Sequence, residues 1–287
     1  MKKKVDFFIA GAPKAGTTSL HNSLALHPEI FMPEIKEPNF FSSKELLADH
    51  LYYKEKIISG LSDYENLYAG AENKIKGDAS VSYLFYPSTA ANIFHYNPQA
   101  RIIILLRHPV ERAVSHYQMD KRLGYVNAPL EAIFADDGNN APSYFQQYFL
   151  LGKYTEQVKR YLDVFPPSQV KIFLFEEVKN DFRKVMKDTL MFLNVKNPDI
   201  VPVSENQNPS FDFSLPLLSS LYRHARIRKG LKNVIPPDLA TKLMKKFSRK
   251  SKSGISEKLN HQLMEFYRND ILELSKLINK NLNHWFR

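Results

Sequence analysis

Cysteine is absent from all 287 residues. Disulfides, thiolate zinc sites, iron–sulfur clusters and cysteine nucleophiles are excluded with it. No apolar run approaches the ~20 residues of a membrane-crossing helix, so no membrane span is expected. The chain opens with Met1-Lys2-Lys3-Lys4 and then Val5 to Ala10, basic first and apolar after. That apolar stretch is short, contains Asp6 and runs straight into a glycine-bearing turn, so it reads as a first strand and not as a secretion signal. A soluble, cytoplasmic protein is the expectation. Internal repeats and low-complexity linkers are missing as well.

The chain has a hydrophobic content of 44% and an aromatic content of 13%, ample for a packed core. The length suits one large α/β domain, expected to span residues 1–287. Lys and Arg number 40 against 30 Asp and Glu, a net charge of +10. From Arg223 to Arg287 there are 16 of the former and 5 of the latter, which leaves 24 against 25 elsewhere. The whole excess therefore lies in the last quarter, where it would attract anions or form ordinary solvated helical surface.

Along the chain, Val5–Ala10 reads as a buried strand and Thr17–His27 as a helix ended by Pro28. Residues 45–73 hold many Tyr and Leu without a clear period, and Lys74–Lys76 suggests a short strand. Pro87–Tyr96 reads as helix. Arg101–Leu106 (RIIILL) is the strongest strand, followed by a helix over Pro109–Leu123. Tyr154–Phe165 (helix), Val170–Phe175 (strand) and the amphipathic Glu177–Leu193 continue the alternation. A polar loop over Asn197–Pro216 and a mostly helical remainder with a basic break at Arg249–Gly254 complete it. Strands alternating with helices imply a parallel sheet covered on both faces, with ligands beyond the strands' C-terminal ends. The loops after Ala10 and Leu106 should then carry the site.

The first of these reads Gly11-Ala12-Pro13-Lys14-Ala15-Gly16-Thr17-Thr18-Ser19. Glycines let backbone amides close around an anion, and a helix N-terminus adds unpaired N–H groups and partial positive charge. The nucleotide-triphosphatase pattern Gly-x4-Gly-Lys-Ser/Thr is not met, because Thr17 follows Gly16 where the lysine should stand and Lys14 lies inside the loop. No partner Asp for Mg²⁺ follows the RIIILL strand, which leads into Arg107. A metal-dependent kinase on this scaffold is thereby disfavoured but stays an alternative, and no metal is expected.

Lys14-Ala15-Gly16-Thr17-Thr18 resembles the 5′-phosphosulfate loop of sulfotransferases that use 3′-phosphoadenosine 5′-phosphosulfate (PAPS). Further segments match in order. Lys36-Glu37-Pro38-Asn39-Phe40-Phe41 and Gly77-Asp78-Ala79-Ser80 are similar to segments of the glycan-modifying, heparan-sulfate-type branch. Arg107-His108-Pro109-Val110-Glu111-Arg112-Ala113-Val114-Ser115 resembles the 3′-phosphate motif, and Gly152-x-Tyr154, Phe175-Glu176-Glu177 and the run to Trp285 also fit. The resemblance implies a P-loop-like α/β sulfotransferase fold with a central parallel sheet flanked by helices. It implies PAPS as donor, PAP as product, and an acceptor hydroxyl or amine, with carbohydrate favoured. The branch often carries Lys after the acidic residue of its Gly-Glu-x-Ser segment, where this chain has Ala79.

The resemblance also implies the site. Lys14, Ala15, Gly16, Thr17, Thr18 and Ser19 would hold the 5′-phosphosulfate, with Lys14 neutralising the leaving group. Arg107 and Ser115 would hold the 3′-phosphate. An arginine fork suits phosphate oxygens, whereas Ser115 alone would pass for a surface helix serine and is singled out by its spacing from Arg107. Glu37 would be the general base, the other reading being a loop carboxylate paired with Lys36. Asp78 is a candidate for assisting the base or orienting the acceptor, and His95 and His116 are the alternative bases. Lys250 and Lys252 in the basic break would close over the nucleotide. Tyr144, Phe145, Tyr148 and Phe149 suit either stacking on sugar rings or, more often at this helical spacing, the core. A non-enzymatic nucleic-acid binder would leave these ordered phosphate motifs unexplained, so nucleic acid is not an expected partner.

Overall fold

A computed structural model describes residues 4–49, 57–202, 212–213, 248–249 and 255–286. Lys250 and Lys252 lie outside the described residues. The main sheet is built from β1 (Phe7–Gly11), β2 (Ile30–Phe31), β3 (Ile75–Ala79), β4 (Arg101–Leu106) and β5 (Val170–Leu174). Their order is β2-β3-β1-β4-β5, and every pairing is parallel. Helices α1 (Thr17–Ala25), α2 (Ser43–Ala48), α3 (Leu61–Asn66), α4 (Thr89–Tyr96), α5 (Pro109–Leu123), α6 (Leu130–Ala135) and α7 (Pro142–Tyr148) lie in the connections up to Tyr148. They are followed by α8 (Tyr154–Val164), α9 (Phe175–Asn180), α10 (Phe182–Phe192) and α11 (Glu257–Leu277).

The sheet forms where the sequence is continuously apolar. Every residue of β1 is buried, as is every residue of β4 after Arg101, as a parallel strand covered on both faces requires. Gly77 shows how tightly β3 is seated. A Cβ there would collide with the Phe7 ring and the Met32 sulfur. The chain leaves β1 for the β2–β3 side and then returns to lay β4 on β1's other edge. That reversal puts the ligand crevice of an open parallel sheet at the C-terminal ends of β1 and β4.

Several elements differ from the sequence reading. The helix expected to Leu193 is two helices, because the Asp181 side chain accepts the Lys184 N–H at 2.9 Å and caps a new start. α1 ends at Ala25, short of His27. The aperiodic stretch 45–73 contains α2 and α3, six residues each, too short to display a period of 3.6. Phe145, Tyr148 and Phe149 are buried core residues. Tyr144 stacks on Tyr148 and donates to the Tyr125 carbonyl at 2.6 Å, so the fold uses all four aromatics internally. Among the described residues no helix is long and apolar enough to cross a membrane.

Candidate functional site

Two loops meet at the crevice. The turn after β1 enters α1 through Gly16, whose φ of 91° is open to glycine at little cost. No side chain caps this helix and its first turn holds no acidic residue, so its N–H groups are left for an anion. Ala15 and Thr17 are buried, while Thr18 and Ser19 are half-buried. Lys14, itself at φ 70°, sends its ammonium back to Met119 Sδ at 3.3 Å. Burial pushes its pKa down to about 8, with help from the nearby Arg122, Arg107 and Arg112 charges and against the pull of Asp120. A cation held among cations gains from an anionic neighbour.

Arg107 leaves the end of β4 and binds the first loop directly. One guanidinium nitrogen donates to the Lys14 carbonyl at 3.2 Å. The others reach Glu111 at 3.0 and 3.2 Å, and the group lies 4.6 Å above the Phe175 ring. Tyr154 fixes the backbone from below, donating to the Arg107 carbonyl at 2.9 Å. Ser115 sits half-buried on α5, four residues before Met119 and thus on the same helix face. The structure therefore brings Lys14, Gly16, Thr17, Thr18 and Arg107 together, with Ser115 on the α5 face that also carries Met119.

Glu37 belongs to a third segment, the turn between β2 and α2. It is half-buried, has φ 64°, and forms an ion pair with Lys36. Its turn is bonded to the end of β3, since the Asn39 N–H donates to Ser80 Oγ at 3.1 Å. Because β3 flanks β1 in register, with Phe8 opposite Asp78, Glu37 and the phosphate loop stand at adjoining strand ends.

The other candidates separate cleanly. His116 is buried among Arg112, Lys14 and Asp120, and burial lowers its pKa well below the usual histidine value. It lies 3.8 Å from Asp120, which also accepts the Tyr148 hydroxyl at 2.8 Å. His95 is exposed in the last turn of α4, which leads into the start of β4, the sheet end away from the crevice. Arg112 is fully buried and donates to the carbonyls of Gln147 and Tyr148, a structural role.

A sulfotransferase-domain model matches residues 4–269. The chain belongs to the sulfotransferase domain family. It is 26% identical to the human bifunctional heparan sulfate N-deacetylase/N-sulfotransferase 3, over 98% of this chain and 31% of that protein. It is also 26% identical to human carbohydrate sulfotransferase 15, over 70% of this chain and 45% of that protein. The chain thus spans less than half the length of these curated relatives. Among solved structures, a sulfotransferase from Alicyclobacillus acidocaldarius is 30% identical with a TM-score of 0.71, covering 99% of this chain and 100% of that one.

This sulfotransferase domain also holds contacts that motif reading missed. His108, given no role from sequence, bonds the Trp285 carbonyl at 2.8 Å. The Trp285 indole N–H donates to Glu176 at 2.9 Å, and Lys280 pairs with Glu177 at 2.8 Å. A C-terminal strap thereby ties down the residue next to Arg107. The recurrence of Phe175-Glu176-Glu177 and Trp285 among the matching segments was the available signal. Among the described residues no cluster of three or more His, Asp or Glu is placed to hold a metal ion.

Proposed function

We propose that this domain transfers a sulfuryl group from PAPS to a hydroxyl or amine of a carbohydrate acceptor, with Glu37 as general base. The observation that carries the reading is the Arg107–Lys14 contact. It joins the end of β4 to an uncapped helix start and makes one cationic cleft for a nucleotide phosphorylated at both ends. The donor set fits that ligand. Lys14, the α1 N–H groups, Thr17, Thr18 and Ser19 would hold the 5′-phosphosulfate, and Arg107 and Ser115 the 3′-phosphate. Glu111 is the anion that a 3′-phosphate would displace from Arg107. PAPS supplies a sulfuryl group on a phosphate leaving group. The acceptor O–H or N–H forms a bond to sulfur, the bridging S–O bond breaks, and the acceptor proton goes to the Glu37 carboxylate. The Lys14 ammonium would neutralise the charge that the departing phosphate gains. The heparan and carbohydrate sulfotransferase relatives support a carbohydrate acceptor.

The test is Glu37→Gln, assayed for turnover and titrated with PAP. Removing a general base lowers kcat by ~10²–10⁴, with PAP affinity near the parent value because Glu37 is no part of the phosphate cleft. Near-parent turnover would refute the base assignment. Loss of PAP binding would show that Glu37 holds the loops together instead.

A further inference from the structure

A buried carboxylate lies behind the Glu37 turn, and among the described residues no basic group hydrogen-bonds to it. Asp78 has no exposed surface. Three hydroxyls donate to it: Tyr64 and Tyr83 to Oδ2, each at 2.8 Å, and Ser80 to Oδ1 at 2.8 Å. Burial raises its pKa to about 6, against the pull of those hydrogen bonds. An ionised carboxylate accepts and never donates. The Ser80 hydroxyl donates to Asp78, and its oxygen accepts the Asn39 N–H at 3.1 Å.

From Asn39 the chain of contacts reaches Glu37. The Asn39 amide donates through Nδ2 to the Glu37 carbonyl at 2.8 Å and accepts through Oδ1 from Ser82 at 2.6 Å. Ser82 in turn meets Ser42 at 2.8 Å. Glu37 and Asn39 both have left-handed backbone, φ 64° and 54°, with Pro38 between them. A residue such as Glu37 is strained there, and such a turn persists only where its surroundings over-determine it. Asn39, buried and bonded on its N–H, amide nitrogen and amide oxygen, supplies that determination.

We propose that Asp78, Ser80 and Asn39 form a positioning relay that fixes the Glu37 turn and so places the Glu37 carboxylate for proton removal. The relay rests on the reading of Glu37 as base. None of its three members touches the phosphate cleft in the contacts described, so its effect falls on turnover and not on nucleotide binding.

The experiment is a double-mutant cycle. Ser80→Ala removes the hydroxyl that links Asp78 to Asn39. Asn39→Asp keeps a residue tolerant of the left-handed region but sets an acceptor against the Glu37 carbonyl. Each is made in the parent and in Glu37→Gln, and kcat, acceptor KM and PAP affinity are measured. Misplacing a catalytic group by about an ångström costs up to ~10²-fold. In the parent, each change should lower kcat ten- to a hundredfold, on the order of that figure, with PAP affinity and KM within about twofold. In Glu37→Gln the same changes should cost less than about twofold, because residues acting through one group are non-additive. Parent-like kcat in either variant, or equal losses in the two backgrounds, overturns the relay. Should Ser80→Ala fail to bind PAP, Asn39→Asp decides; loss of PAP binding in both means these residues hold the phosphate cleft, and the relay is wrong. If Glu37→Gln alone keeps parent turnover, the base reading falls and the relay with it. A Glu37→Gln defect beside a parent-like Ser80→Ala removes the relay only.

Discussion

At neutral pH the Lys14 ammonium remains charged, although burial and the Arg122, Arg107 and Arg112 charges bring its pKa to about 8. In the free protein the fold favours neutral Lys14, so this group adds stability as pH rises from about 8 toward the ordinary 10.5. A bound phosphate reverses the preference and raises the pKa. PAP binding should therefore take up a proton above pH 8, and affinity should fall by up to about tenfold per pH unit there. Calorimetric titrations at pH 7 and 9 measure this, with Lys14→Arg as the control that keeps its charge and flattens the profile. His116 is neutral throughout that range and contributes no slope. A pH-independent parent would mean that Lys14 does not face the phosphates.

The elements differ in how readily they can be read from sequence. β4 and α5 have both ends where composition puts them, because the apolar run Ile102–Leu106 is bounded by Arg101 and Arg107 and α5 begins on a proline and ends before Gly124 at φ 76°. The two phosphate loops follow from these boundaries, so Lys14 and Arg107 were legible. The Glu37 turn was legible as a motif only, since nothing in the letters Lys-Glu-Pro-Asn announces two left-handed residues. The Asp78 cage was illegible because its tyrosines come from 14 residues upstream and 5 downstream, on separate elements. At this scale Gly77 is the sharpest test. Gly77→Ala forces a methyl against Phe7 and Met32 between β1 and β2–β3, and overpacking of this kind typically costs about 1–3 kcal/mol. Urea unfolding should show a lowered midpoint. An unchanged midpoint would mean that the sheet yields at this place.

The molecule is closed by residues far apart in the chain, His108 and Trp285 being separated by 177 positions. Trp285 is the sole tryptophan, fully buried and bonded to Glu176, so tryptophan emission, selected apart from that of the tyrosines, reports the strap alone. The native protein should emit as a buried indole, shift red on unfolding, and respond to PAP through His108 beside Arg107. Emission typical of solvated indole in the native protein would contradict the strap. The strand order carries a consequence for synthesis. β1 is the first strand made and the central one, yet Phe7 finds its partners only in Gly77 and Arg101. At ~5–20 residues per second, the nascent segment Phe7-Phe8-Ile9 waits on the order of 5–20 s for its second neighbour. During that interval a wholly apolar strand is a sticky, unpaired peptide, exposed to aggregation before the crevice exists.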